Sequence, residues 1–141
     1  MFPDSRRRLA RHERSVRKQA QNPKKVHLID PALGRAFATT GGPNRGAWLE
    51  NLVFLHERRK TREIYYASNG HEVDLVVPAA DGGRFVNVTW SLTDPATLER
   101  EQAAMRFGRE KYPDAEGRLV AHETDGRPEA RTAVRALLDL D

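Results

Sequence analysis

The sequence predicts an α/β fold, a mixed β-sheet flanked by helices, and three observations carry that prediction. Three short runs rich in aromatic and β-branched residues follow one another between Ile64 and Trp90; such residues suit a pleated, half-buried surface. Apolar residues recur at helical spacing on either side of them, at Leu49, Leu52 and Val53 before and at Leu98 and Met105 after. A further β-type run, Arg118-Leu119-Val120-Ala121-His122, follows the second helix. Helices before and after a three-strand meander argue for a sheet of mixed direction.

Taken in order, residues 1–22 read as a basic leader, frayed or helical, with Leu9 and Val16 as its few apolar anchors. Residues 23–141 read as the folded domain. Val26-His27-Leu28-Ile29 is a short apolar run consistent with a strand, and Asp30-Pro31 then offers a cap and a first-turn proline for a short helix over 32–38. Thr39 to Asn44 breaks it as a loop. The next helix spans Gly46 to Arg59, with Trp48 and Leu55 on the shoulders of its apolar stripe. Glu50 stands near its N-terminus, where the helix dipole favours a carboxylate.

The strands are expected at Ile64–Ala67, Glu72–Val77 and Phe85–Trp90, separated by Ser68-Asn69-Gly70 and Ala80-Asp81-Gly82-Gly83, which tolerate positive φ. Strict alternation puts Glu72, Asp74 and Val76 on one face, and Asn87 and Thr89 on one face of the next strand. Thr93-Asp94-Pro95 opens a helix that Tyr112-Pro113-Asp114 ends. After the strand at 118–122, a last helix is expected from Gly126-Arg127-Pro128-Glu129, with Ala130, Val134, Leu137 and Leu138 as its stripe.

Composition narrows the function classes. At 141 residues, with 38% hydrophobic and 31% charged residues, the chain supports one core in one domain. Without cysteine it has neither disulfides nor thiolate metal sites, and a cytoplasmic location fits. No apolar run approaches the roughly 20 residues that span a bilayer, and no secretory h-region follows the basic start, so no membrane partner is expected. The net charge of +4 is uneven: residues 1–25 carry +7 and the rest −3. Arg6, Arg7, Arg8, Arg11, Arg14, Arg17, Lys18, Lys24 and Lys25 are therefore the candidate nucleic-acid contacts, since a basic arm binds phosphates by releasing counterions. A solvated tail, or the exposed face of a helix, is the competing reading of the same charges.

Four blocks, Asn22-Pro23-Lys24-Lys25-Val26-His27-Leu28-Ile29-Asp30-Pro31, Leu49-Glu50-Asn51-Leu52-Val53-Phe54-Leu55, Gly70-His71-Glu72-Val73-Asp74 and Ser91-Leu92-Thr93-Asp94-Pro95, together resemble the uncharacterised C-terminal domain of prokaryotic AAA+ ATPases. That domain resembles the PD-(D/E)XK nuclease superfamily, which implies a restriction-endonuclease-like αβββαβ core. Carried over residue by residue, the helix glutamate matches Glu50 and the first strand acid matches Asp74, which the resemblance implies as ligands of a Mg²⁺ ion; the acid and lysine of the next strand fall at Asn87 and Thr89. Those two are vestigial motif positions. Phosphodiester cleavage on this scaffold needs a hard cation and a lysine beside the nucleophile, and Thr89 supplies no charge, although Lys60 or Arg62 could take that role from elsewhere. The resemblance thus implies a degenerate nuclease-like domain associated with DNA; any surviving activity would be Mg²⁺-dependent endonucleolytic cleavage.

No Gly-x-x-x-x-Gly-Lys-Ser/Thr loop is present, so no ATP site is expected and the chain reads as a fragment or stand-alone remnant without the ATPase. The alternative class is a non-enzymatic interaction or regulatory module, binding another protein or itself as a homodimer. For Asp74 and Glu50 the plainer role is a solvent-facing strand carboxylate and a helix-dipole partner. His27, His56 and His122 lack metal-ligand spacing and read as structural, His71 as an exposed loop residue, and Trp48 and Trp90 as core or pocket walls.

Overall fold

The computed structural model describes residues 6–13, 15–30 and 44–138. They form β1 (Arg6–Arg11), α1 (Val16–Gln21), β2 (Lys25–Leu28), α2 (Arg45–Lys60), β3 (Tyr65–Asn69), β4 (His71–Val77), β5 (Arg84–Ser91), α3 (Pro95–Lys111), β6 (Glu116–Glu123), β7 (Ala130–Thr132) and α4 (Ala133–Leu137). The fold is α/β, and the expected order αβββαβ runs from α2 to β6. The short helix expected over 32–38 lies outside the described residues, as does most of the loop that follows it.

One sheet holds all seven strands in the order β2-β1-β3-β4-β5-β6-β7. Tight turns make β3–β4 and β4–β5 antiparallel, whereas α3 carries the chain back so that β6 pairs parallel to β5. Local chemistry sets the helix starts. The Asn44 side chain accepts the Ala47 N–H at 3.0 Å, and Asp94 accepts that of Thr97 at 2.8 Å with Pro95 in the first turn.

The sheet buries both faces. Against α2 lie Leu49, Val53 and Phe54 with Leu75, Val86 and Val120; against α3 lie Met105 with Val73, Val76, Phe85 and Leu119. Gly108 permits the second contact, since a Cβ there would clash with the edge of the Phe85 ring.

Four expectations need correcting. The leader, read as frayed or helical, holds the helix α1 but also a strand: Arg6–Leu9 pair antiparallel with β2, while Ala10 and Arg11 pair parallel with Tyr65 and Tyr66 of β3. Backbone pairing and one buried anchor, Leu9, suffice where composition suggested fraying. At the other end, Ala130–Thr132 pairs parallel with β6, and α4 starts only after the Thr132 cap. Its five residues are too few for the expected stripe, so Val134 and Leu138 stand exposed while Leu137 packs on the core. Trp48 is also exposed rather than core.

The fourth correction bears on the site. The two-residue step from Tyr65 to Ala67 on β3 is matched by the three-residue step from Val73 to Val76 on β4, so β4 carries a bulge. The extra residue breaks alternation: Val73 and Val76 both pack on the α3 side, and Asp74 and Leu75 both turn toward α2. Asp74 and Val76 therefore do not share a face.

Candidate functional site

Lys25 is the centre of the site. It opens β2, and alternation sends Lys25 and His27 to the same side of that strand, over α2. The Lys25 Nζ donates to Asp74 Oδ1 at 2.9 Å and Glu50 Oε1 at 3.0 Å, and lies 2.6 Å from Glu72 Oε1. His27 Nε2 lies 3.2 Å from the same Glu50 oxygen, its ring stacked on Phe54 at 4.1 Å between centroids. The second Asp74 oxygen accepts the Val88 backbone N–H at 2.8 Å. The bulge in β4 aims Asp74 here. Glu50 is the sixth residue of α2, beyond the first turn, and its partners are Lys25 and His27 rather than the helix dipole.

The electrostatics follow from burial and pairing. For Lys25, burial works to lower the pKa, but the charges of Asp74 and Glu50 and the contacts with Glu72 and Asp74 overcome it and hold the ammonium well above its ordinary value. For Glu50, burial is likewise outweighed, by the His27 contact and by Lys25, and its carboxyl sits below the ordinary value. Asp74 goes the other way: burial, reinforced by the Glu50 charge, pushes its carboxyl up to about 6 against the pull of Lys25 and the Val88 N–H.

Of the four motif positions, Glu50 and Asp74 are brought together; Asn87 and Thr89 are not. The Asn87 Nδ2 donates to Glu101 Oε2 on α3 at 3.1 Å and to the Glu72 carbonyl at 3.2 Å, on the sheet face away from α2. Its Oδ1 is buried and accepts no hydrogen bond from the described residues. Thr89 is buried and shares that face by alternation. Lys60 sits ten residues beyond Glu50, about 15 Å along α2, and Arg62 follows it, so neither supplies the ammonium that Lys25 does.

The basic residues divide as well. Arg7, Arg8, Arg17, Lys18 and Lys24 are exposed. Arg11 is half-buried, donates to the Ser68 carbonyl and pairs with Glu13 at 3.5 Å. Lys25 belongs to the acidic cluster. The Arg6 side chain and all of Arg14 lie outside the described residues. Among the histidines, His27 has a role that spacing did not reveal; His122 lies against Trp90 at 4.3 Å between ring centroids.

As arranged, these residues do not fit a Mg²⁺ ion. The ammonium stands where the carboxylates converge, and the one Asp74 oxygen it leaves is taken by a backbone N–H. Among the described residues no group of three or more metal-ligating side chains is set to hold a cation. Nor, among them, is any helix long and apolar enough to cross a membrane.

Alternation ties Lys25 only to His27, two residues on in the same β-type run; its pairing with Glu50 and Asp74, 25 and 49 residues away, has no local signal. No family model, characterised protein or solved structure matches this chain.

Proposed function

We propose that the chain is a nuclease-like domain, of the kind found with prokaryotic AAA+ ATPases, that has lost hydrolysis and associates with DNA through its N-terminal cations. The observation that carries the loss of hydrolysis is the Lys25 ammonium seated among Glu50, Glu72 and Asp74 at 2.6–3.0 Å. Phosphoryl transfer depends on stabilising negative charge at the transferring group, and on this scaffold a divalent ion does so. One ammonium against three carboxylates leaves the cleft negative, so a phosphodiester is repelled from it.

Association with DNA is supported by Arg7, Arg8, Arg17, Lys18 and Lys24, all five exposed. If most of them meet phosphates, log Kd rises with log salt at a slope of about 3 to 4. Cleavage and binding assays test the two halves. We expect no Mg²⁺- or Mn²⁺-dependent cleavage of plasmid or branched DNA; cleavage that Asp74→Ala abolishes overturns the first half. We expect salt-dependent binding that weakens when the five cations become alanine; no binding in low salt, or binding indifferent to those changes, overturns the second.

A protein-interaction reading is favoured by Val134 on α4 and Leu138 at its C-cap, exposed by 62% and 63%. Sedimentation equilibrium of the wild type and a Val134→Ser/Leu138→Ser variant tests self-association through that helix.

A further inference from the structure

Over Arg6–Leu9 the sheet is two strands wide. These residues pair with β2, as Arg6–Leu28, Arg7–His27, Arg8–Val26 and Leu9–Lys25, and the pairs with β3 begin only at Ala10. The β1–β2 ribbon therefore projects past the start of β3. Alternation gives its two faces different chemistry. Leu9, Lys25 and His27 turn toward α2, where Leu9 and His27 are buried and Lys25 meets its carboxylates. Arg8 and Val26, direct cross-strand partners, turn the other way; both stand exposed, Val26 by 56%, and Val26 belongs to neither core cluster. Lys24, also exposed, stands two residues before Val26 and extends the same row.

The ribbon is tied to the body at several points. Arg11 donates to the Ser68 carbonyl and the Tyr66 hydroxyl to that of Pro23, His12 Nδ1 lies 2.9 Å from the Tyr112 hydroxyl, and Asn51 accepts the Leu28 N–H at 2.7 Å. A ligand meeting its outer face finds that face already formed, which spares the cost of ordering it on binding.

From this geometry we infer that the β1–β2 ribbon is a reader of duplex DNA, entering the major groove with Arg8 and Val26 against the base edges. The inference rests on the reading of DNA association and names its substrate. Two strands about 4.8 Å apart fit the major groove of B-form DNA, which is about 12 Å wide and admits a two-stranded ribbon. An arginine takes the N7 and O6 of a guanine together, and an apolar side chain meets the thymine methyl; Arg8 and Val26 present one of each, side by side. Arg7, Lys24 and, on α1, Arg17 and Lys18 are exposed cations of the sign that positions a duplex by its phosphates. A-form RNA closes its major groove to side chains, so such a ribbon selects DNA.

Selection from short random-sequence duplexes, followed by fluorescence anisotropy, tests this on the full chain. The wild type should enrich a sequence containing guanine. Replacing its guanines by 7-deazaguanine, which removes the N7 acceptor of the major groove and leaves the phosphates alone, should weaken binding about tenfold, and double-stranded RNA of that sequence should bind more weakly than the DNA. Arg8→Lys keeps the charge and should bind the natural and 7-deaza duplexes equally; Val26→Ser should lose the preference for thymine over uracil, which lacks the methyl. Both positions are exposed, so the fold should tolerate either change. Binding that enriches no sequence, that takes RNA as tightly as DNA, or that stays sensitive to 7-deazaguanine in Arg8→Lys overturns the inference while association by charge stands. An absence of binding in low salt overturns both.

Discussion

Removing the Lys25 charge should destabilise the protein in a way that pH reverses. In Lys25→Met the aliphatic stem is nearly kept, so the change isolates the ammonium. Two carboxylate oxygens, Glu50 Oε1 and Asp74 Oδ1, each lie within 3.0 Å of the Nζ and hence no more than about 6 Å from each other. At an effective dielectric of about 20, two unit charges at that spacing repel by about 3 kcal/mol. The loss of attraction adds to this, while partial exposure of Glu50 and, more so, Glu72 screens both terms. We expect a net loss of about 3 kcal/mol at neutral pH, the lower end for breaking a buried pair. Denaturant unfolding followed by the fluorescence of Trp48 and Trp90 measures it. Since protonation of the acids removes the repulsion, the penalty should fall below about 1 kcal/mol near pH 4. A loss under about 0.5 kcal/mol at neutral pH refutes the reasoning, as does a loss that is the same at both pH values, which would assign the effect to packing of the stem.

Asp74→Asn should change the slope of stability with pH. The Asp74 carboxyl is raised from 3.8 to about 6 in the fold, so the native state binds more protons than the unfolded one in that window and wild-type stability rises as pH falls through it. Glu50, lowered from 4.5, contributes stability that is present above that value and lost as pH falls further; the pair titrates as a set, and the rise between about pH 6 and 4 should vanish in Asp74→Asn while the acid loss remains. Asn51→Ala should cost about 1–3 kcal/mol by stranding the Leu28 N–H and carbonyl, with hydrogen exchange at Leu28 accelerated and exchange in β5 unchanged. Gly108→Ala should cost about 1–3 kcal/mol by driving a methyl into the Phe85 ring, read as a lower denaturant midpoint; a neutral outcome would show that the ring can give way.

Where the sequence could be read, one local cause dominated. The Asp94-Pro95 start, the glycine turn at Gly70 and the apolar spacing of α2 depend on neighbours in the chain, and these elements lie where spacing placed them. β1 could not be read that way, because Arg6–Arg11 has one apolar anchor and becomes a strand through partners distant in sequence. β7 is too short for any period to register. In the site, Glu50 and Asp74 were singled out only by resemblance, and their surroundings were not legible. A bulge between Val73 and Val76 aims Asp74, and register shifts of one residue leave no mark in composition. Asn87 and Thr89 sit at motif spacing yet face α3, and the counter-charge comes from Lys25, 25 residues ahead of Glu50.

The cation held by Glu50 and Asp74 is the Lys25 ammonium, and nitrogen-15 magnetic resonance of labelled lysine side chains observes it. One ammonium signal should be protected from solvent exchange, coupled through hydrogen bonds to the Glu50 and Asp74 carboxylates and unmoved by about 10 mM Mg²⁺, which sheds its waters reluctantly. An Lys25 signal that exchanges as fast as those of surface lysines, or that Mg²⁺ releases from the acids, would contradict it.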